Sequence, residues 1–277
     1  EEMLENIFNV MCVTATHPSN RKVFMDLEGL DLIKLVIKSK KYAKRGAAKL
    51  LNFYLTNDLV ASTKWLDIGG LGTLFSALMH TKDTEEREKK HKKNKKRQQN
   101  KEDEEHVLSS LAALLTNFKD AVQSAQQHMA DQEEANDPEV AKAVEKYSNF
   151  IERVVVKFAE SNCEKLVRLV ELHTKYLDRM RTIDAKMQQE DDEDQGRDEA
   201  DEDQIYEDRL EAGLFTLQIT DYILAFVSNS LPALKKRATK LLQDKGGSWA
   251  DVKLVLMEYA VRAAAENGED PETSTGE

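Results

Sequence analysis

The sequence predicts an all-α fold assembled from stacked helical units, and three observations carry that expectation. The first is composition. Four prolines, eleven glycines and a 6% aromatic share among 277 residues leave little material for short strands joined by tight turns. The second is periodicity: apolar residues recur at three- and four-residue spacing, as in Ala47, Leu50, Leu51 and Tyr54, which lines one face of a helix. The third is an internal echo. Phe24, Leu27, Gly29, Leu30, Ile33 and Ile37 return as Trp65, Ile68, Gly70, Leu71, Leu74 and Leu78, each pair 41 residues apart.

A period of roughly 40 to 47 residues is the signature of armadillo and HEAT arrays. One such unit cannot bury its own apolar face and must stack on its neighbours, so the expected architecture is an armadillo/HEAT-like helical-repeat superhelix with disordered charged insertions. The first helix, 2–16, carries Met3, Leu4, Ile7, Phe8, Val10 and Met11. An array opening on a bare apolar face lacks a cap, which leads us to expect a piece of a longer protein. The turn His17-Pro18-Ser19-Asn20 ends this helix, because proline disfavours helix in the residue before it. Asn20 is then expected to cap a short helix through Leu27, and Gly29 to break the chain before helix 30–38. Helix 43–55 completes the unit. The next begins near Ser62 and repeats the order through His80.

Its third helix is delayed by residues 82–105, which carry Lys89, Lys90, Lys92, Lys93, Lys95, Lys96 and Arg97 between acidic flanks. A like-charge block of this kind reads as disorder or as a polar helical extension. The helical pattern resumes over 106–118. Residues 119–148 are polar and Gln-rich, a long loop or surface helix with a break at Asp137-Pro138. Helices 149–159 and 164–188 follow. Glu190 to Asp203, with ten carboxylates and one arginine, reads as a solvated loop. One helix over 205–229, apolar nearly all round, is expected at the centre of the second half. Asn229 or Ser230 with Pro232 opens a helix to about 244, and Gly246-Gly247 stops it. Ser248 caps the last helix, with Asp251 completing a capping box; the tail 266–277 is expected to be disordered. The domain reading is therefore 1–118 armadillo-like repeats with the basic insertion 82–105, 119–148 polar linker, 149–265 C-terminal repeats with the acidic loop, and the tail.

Several classes of chemistry fall away. A formal charge of −11 disfavours nonspecific attraction to nucleic acid and favours basic peptides. Cys12 and Cys163 form no CxxC pair, so reduced, buried thiols are expected. No stretch of about 18 apolar residues exists to span a membrane. The six histidines, His17, His80, His91, His106, His128 and His173, never fall at metal-ligand spacing; His173, beside an apolar stripe, reads as a packed or capping side chain. There is no glycine-rich phosphate loop, no GxSxG elbow and no fixed carboxylate pair. We expect neither catalysis nor a cofactor.

What the sequence offers instead is a recurring amide. Ile7-Phe8-Asn9-Val10, Leu50-Leu51-Asn52-Phe53 and Leu115-Thr116-Asn117-Phe118 each set an asparagine, a mediocre helix former, before an apolar residue on an inner helix. Asn9, Asn52 and Asn117 would then line a groove and hydrogen-bond an extended partner backbone; the alternative is that they bond neighbouring loops. The Lys89–Arg97 block reads as a localisation signal, as an RNA-phosphate contact, or as a solvated loop.

Three segments, EEHVLSSLAALLTNF, EKLVRLVELHTKYLDRM and YEDRLEAGLFTLQITDYI, with the opening NRKVFMDLEGLDLIKLVIKSKK and the closing SWADVKLVLMEYA, resemble the beta-catenin-like protein 1 family in residue type and order. The resemblance implies an armadillo-type nuclear adaptor associated with the spliceosome. Its expected partners are spliceosomal proteins of the NineTeen complex and basic, nuclear-localisation-like peptide segments. Armadillo carriers of such peptides place a tryptophan four residues before the groove asparagine. Here Ala48 and Ala113 stand there, which removes about 0.5–2 kcal/mol of cation–π contact per slot and argues against the competing reading, a nuclear-transport adaptor.

Overall fold

The computed structural model describes residues 2–39, 43–89, 94–131, 138–191 and 199–267, with side chains described except at 82–100, 130–131, 187–191, 199–203 and 266–267. Every regular element among them is helical: α1 (Glu2–Thr14), α2 (Pro18–Asp26), α3 (Gly29–Lys38), α4 (Lys44–Leu55), α5 (Leu59–Asp67), α6 (Gly70–Lys89), α7 (Asn94–Asp131), α8 (Pro138–Asp191), α9 (Glu199–Ala212), α10 (Leu214–Ser230), α11 (Pro232–Asp244) and α12 (Trp249–Asn267). The chain divides into two compact units, Glu1–Lys157 and Phe158–Glu277. That boundary lies inside α8, within the segment read from sequence as C-terminal repeats.

In the first unit the echo has a packing cause. A Cβ at Gly29 would sit 2.2 Å from the Phe24 ring, and one at Gly70 would sit 2.2 Å from the Trp65 ring. Each glycine lets the second helix of its repeat start directly on the aromatic of the first. The residues before them, Glu28 (φ 58°) and Gly69 (φ 73°), both turn the corner in the left-handed region. The echoed pairs Leu30/Leu71, Ile33/Leu74 and Ile37/Leu78 are all buried. α4 packs between α1 and α7, and Gly46 admits the Phe8 ring of α1 at 2.2 Å from where its Cβ would be.

Polar contacts stitch the repeats. Arg21 of α2 donates to Asp58 Oδ2 at 3.1 Å and also reaches the Tyr54 carbonyl, while Lys34 of α3 donates to the Ile68 carbonyl.

Several boundaries differ from the sequence expectation. α2 begins at Pro18, and His17 is its cap, its Nδ1 accepting from the Ser19 N–H at 3.3 Å. Asn20 lies inside that helix and donates to the Thr14 carbonyl at 3.0 Å. Helix also enters the basic insertion from both sides, through Lys89 in α6 and from Asn94 in α7. Residues 119–131 continue α7, and Pro138 at the start of α8 suits the first turn of a helix, so the described part of the polar stretch 119–148 is helical. α8 is broken at Glu160–Cys163, where Ser161, Asn162 and Cys163 all have positive φ. That break lies between the expected helices 149–159 and 164–188, although the first starts earlier.

In the second unit α10 is the buried centre, with Leu217, Ile223, Leu224 and Val227 inaccessible. The single helix expected over 205–229 is two. Gly213 (φ 112°) interrupts it, and the flanking helices bend by 63°. The cap of α11 is Leu231, not Asn229 or Ser230, and Pro232 fills its first position. At its far end Gly246 (φ +75°) and the Gly247 N–H, which donates to the Leu242 carbonyl at 2.9 Å, close the helix. The capping box of α12 forms: the Ser248 N–H donates to Asp251 Oδ2 at 2.7 Å, and Ser248 Oγ accepts from the Ala250 N–H at 3.2 Å. Cys12 is a buried free thiol and Cys163 a half-buried one. Among the described residues no single helix is long and apolar enough to cross a membrane. Of the expected acidic loop 190–203, residues 190–191 end α8 and 199–203 begin α9, so it is helical at both ends; 192–198 and nearly all of the tail 266–277 lie outside the described residues.

Candidate functional site

α4 shows how the third helix of a repeat divides its surface. Ala47, Ala48, Leu50, Leu51, Tyr54 and Leu55 are buried, covering the arc turned toward the other helices. Arg45, Lys49, Asn52, Phe53 and Thr56 keep solvent access, and their i, i+4, i+7 spacing gathers them on one stripe. The stripe carries two cations, an amide and a ring. Arg45 Nε donates to Asp103 Oδ1 of α7 at 3.0 Å, and Lys49 Nζ donates to Asn9 Oδ1 of α1 at 2.8 Å. These two contacts tie α4 to its neighbours on both sides. Ala48 is itself buried, so the place of a carrier's tryptophan is not on this stripe.

The three predicted amides do not play one part. Asn9 and Asn52 flank Lys49 along the α1–α4 seam, and Asn52 Oδ1 is a buried acceptor without a hydrogen-bond partner. Asn117 faces the scaffold. Its Nδ2 donates to the Leu55 carbonyl and to Ser62 Oγ, both at 2.7 Å, with the Asp58 carbonyl at 3.3 Å. It therefore satisfies the end of α4 and the turn into α5, the loop-bonding alternative to a groove role. The shared string concealed this difference. Phe53 beside Asn52 is 37% exposed, whereas Phe118 beside Asn117 is 0% exposed, so the same apolar-x-Asn-apolar pattern is rotated differently in the two repeats.

Of the basic block, Lys89 ends α6, Lys95, Lys96 and Arg97 lie on the first turns of α7, and Lys90, Lys92 and Lys93 fall outside the described residues; none of the seven side chains is described. Among the described residues no group of three His, Cys, Asp or Glu could hold a metal ion.

Two features go further than the sequence reading, in which His106 was one of six histidines without metal-ligand spacing and His173 a packed or capping side chain. His106 on α7 sits near Lys49 and Arg45; burial first, and then those two cations, lower its pKa to about 4. It is neutral at pH 7. The second is a buried pair in the other unit. His173 Nδ1 lies 2.6 Å from Asp221 Oδ1, with both side chains all but inaccessible. Burial pushes the Asp221 carboxyl up to about 6, against the opposing pull of His173. A carboxylate in the middle of the apolar α10 was its signal, since a buried charge demands a partner.

Comparison with known proteins places this arrangement. The family described as catenin-beta-like, Arm-motif containing nuclear, matches residues 1–257. The chain belongs to this catenin-beta-like family. Beta-catenin-like protein 1 of Rattus norvegicus is 33% identical over 279 residues, covering 98% of this chain and 43% of the relative. The protein of the same name from Homo sapiens is 32% identical with the same coverage. The beta-catenin-like protein 1 homolog of Schizosaccharomyces pombe is 30% identical over 81 residues, 28% of this chain. This chain thus spans less than half the length of its mammalian relatives. The catenin-beta-like match extends through the charged stretches and the 119–148 segment as well as the motifs that first suggested it, and the Arm motif agrees with the all-α repeat architecture.

Proposed function

We propose that this chain is a non-enzymatic protein-interaction scaffold of the nuclear pre-mRNA splicing machinery, docking splicing factors of the NineTeen complex or basic localisation-like segments on its armadillo surface. The observation that supports this most is membership of a family described as Arm-motif containing and nuclear. The splicing partners follow from what resemblance to that family implies. Asn9, Asn52 and Phe53 on the α1–α4 seam are the residues we assign to a partner backbone. Asn52 is half-buried on the same stripe as the exposed Phe53, where its side-chain amide can pair with an extended peptide backbone.

Crosslinking mass spectrometry on the native nuclear assembly tests the reading. Crosslinks from this chain to NineTeen proteins are expected; crosslinks confined to import carriers would sink it in favour of a transport adaptor. For the groove, Asn52→Ala should weaken binding of the crosslinked segment about fivefold, the worth of one hydrogen bond, with the melting temperature nearly unchanged. Asn117→Ala should lower stability by about 1–3 kcal/mol by stranding the carbonyls of the α4–α5 turn. An Asn52→Ala protein that binds normally would remove the amide from the interface.

A further inference from the structure

We propose that α9 is a hinged strap, closed on α8 and α12 by arginine contacts and opening about Gly213 independently of the helix that follows it. The first support is burial. In α10 most residues are inaccessible, yet none of residues 204–212 is buried; Ile205, Tyr206 and Leu210 are only half-covered. Hydrophobic burial is what holds a helix onto a protein most firmly, and α9 has little of it.

The second support is the chemistry of its tethers. The Arg262 guanidinium of α12 lies 3.3 Å from the Tyr206 ring centroid. Arg209 reaches Glu258 of α12 at 3.4 Å and Asp184 of α8 at 3.5 Å. Arg179 of α8 donates to the Ala212 carbonyl at 3.3 Å, the last carbonyl of the strap. Partly exposed ion pairs contribute little and weaken as salt screens them. A strap held this way is set by ionic conditions, unlike the apolar core beside it.

The hinge is the third support. Gly213 takes φ 112°, open to glycine at little steric cost, and the helices on either side differ in direction by 63°. α10 starts its own hydrogen bonding there, since the Leu217 N–H donates to the Gly213 carbonyl at 3.0 Å. Its ladder therefore survives when the strap leaves. A 14-residue helix released from its tethers is marginal in water, so opening is also unwinding. Glu258 and Arg262, which the strap engages, adjoin the exposed stripe Leu254, Met257 and Val261 on α12. Opening widens that surface.

Hydrogen–deuterium exchange on the whole chain decides the matter, at about 0.05 M and about 1 M sodium chloride. Peptides covering 204–212 should exchange about tenfold faster at high salt, while those covering 214–230 stay unchanged. The double variant Arg209→Gln with Arg262→Gln should exchange fast at low salt and lose its salt response. Protection of 204–212 equal to that of α10 at both salts would overturn the proposal. So would an opening that carries α10 with it, since α9 would then belong to one cooperative unit with the core.

Discussion

Gly70 and Trp65 set the terms at the scale of single residues. The indole is 0% exposed, so it has nowhere to go when a methyl is built 2.2 Å from it. Gly70→Ala should therefore destabilise the protein by about 1–3 kcal/mol, the usual cost of overpacking. Gly72, two residues on, has nothing within 4 Å of its would-be Cβ and is solvent-exposed on the same helix. Gly72→Ala should stabilise by about 0.5–1 kcal/mol, the helix-propensity difference between the two residues. Urea midpoints of the two variants, moving in opposite directions, check both at once. If they move together, the glycine–ring contact is not what fixes the repeat.

Among elements, α12 is the plainest case of a helix set by its first four residues. Asp251 accepts from the Ser248 N–H and hydroxyl and pairs with Arg181 at 2.9 Å. Asp251→Ala should cost about 0.5–2 kcal/mol, read from chemical denaturation of the second unit. Such local grammar was legible: Gly246-Gly247 followed by Ser248-x-x-Asp251 names its own geometry, and the 41-residue echo named the repeat. What could not be read was set by distant packing. Nothing in Leu210, Leu214 and Leu217 signals that the apolar pattern bends at Gly213, because the spacing runs on across it. Nor did the string around Asn117 reveal that its amide is held by the turn after α4. Helix rotation is decided by the neighbour, and that neighbour lies about 60 residues away. His17 outcompeted Asn20 as a cap because Pro18, with no N–H to lose, fits the first helical position.

At the scale of the whole molecule, each unit holds one buried group that should respond to acid, and the two respond in opposite senses. His106 in the first unit has its pKa lowered from 6.5 to about 4. Its contribution to stability is present above 6.5 and is lost as the pH falls through about 4. Asp221 in the second has its pKa raised from 3.8 to about 6. Its contribution is full below 3.8 and is lost as the pH rises through about 6. Acidification from pH 7 to pH 5 should thus weaken the first unit and strengthen the second. The two tryptophans, Trp65 and Trp249, fall one in each unit, so denaturation followed in Trp249→Phe and Trp65→Phe backgrounds separates them; His106→Asn and Asp221→Asn should flatten the respective responses. The stitching of the first unit has a mechanical counterpart. Arg21–Asp58, Lys34–Ile68 and Asn117–Leu55 join residues 37, 34 and 62 positions apart, and each binds one repeat only to the next. Among the described residues these contacts run between neighbouring repeats, so a pull on the unit should open it in steps. A unit so built lengthens gradually where one with end-to-end contacts would hold and then give way at once.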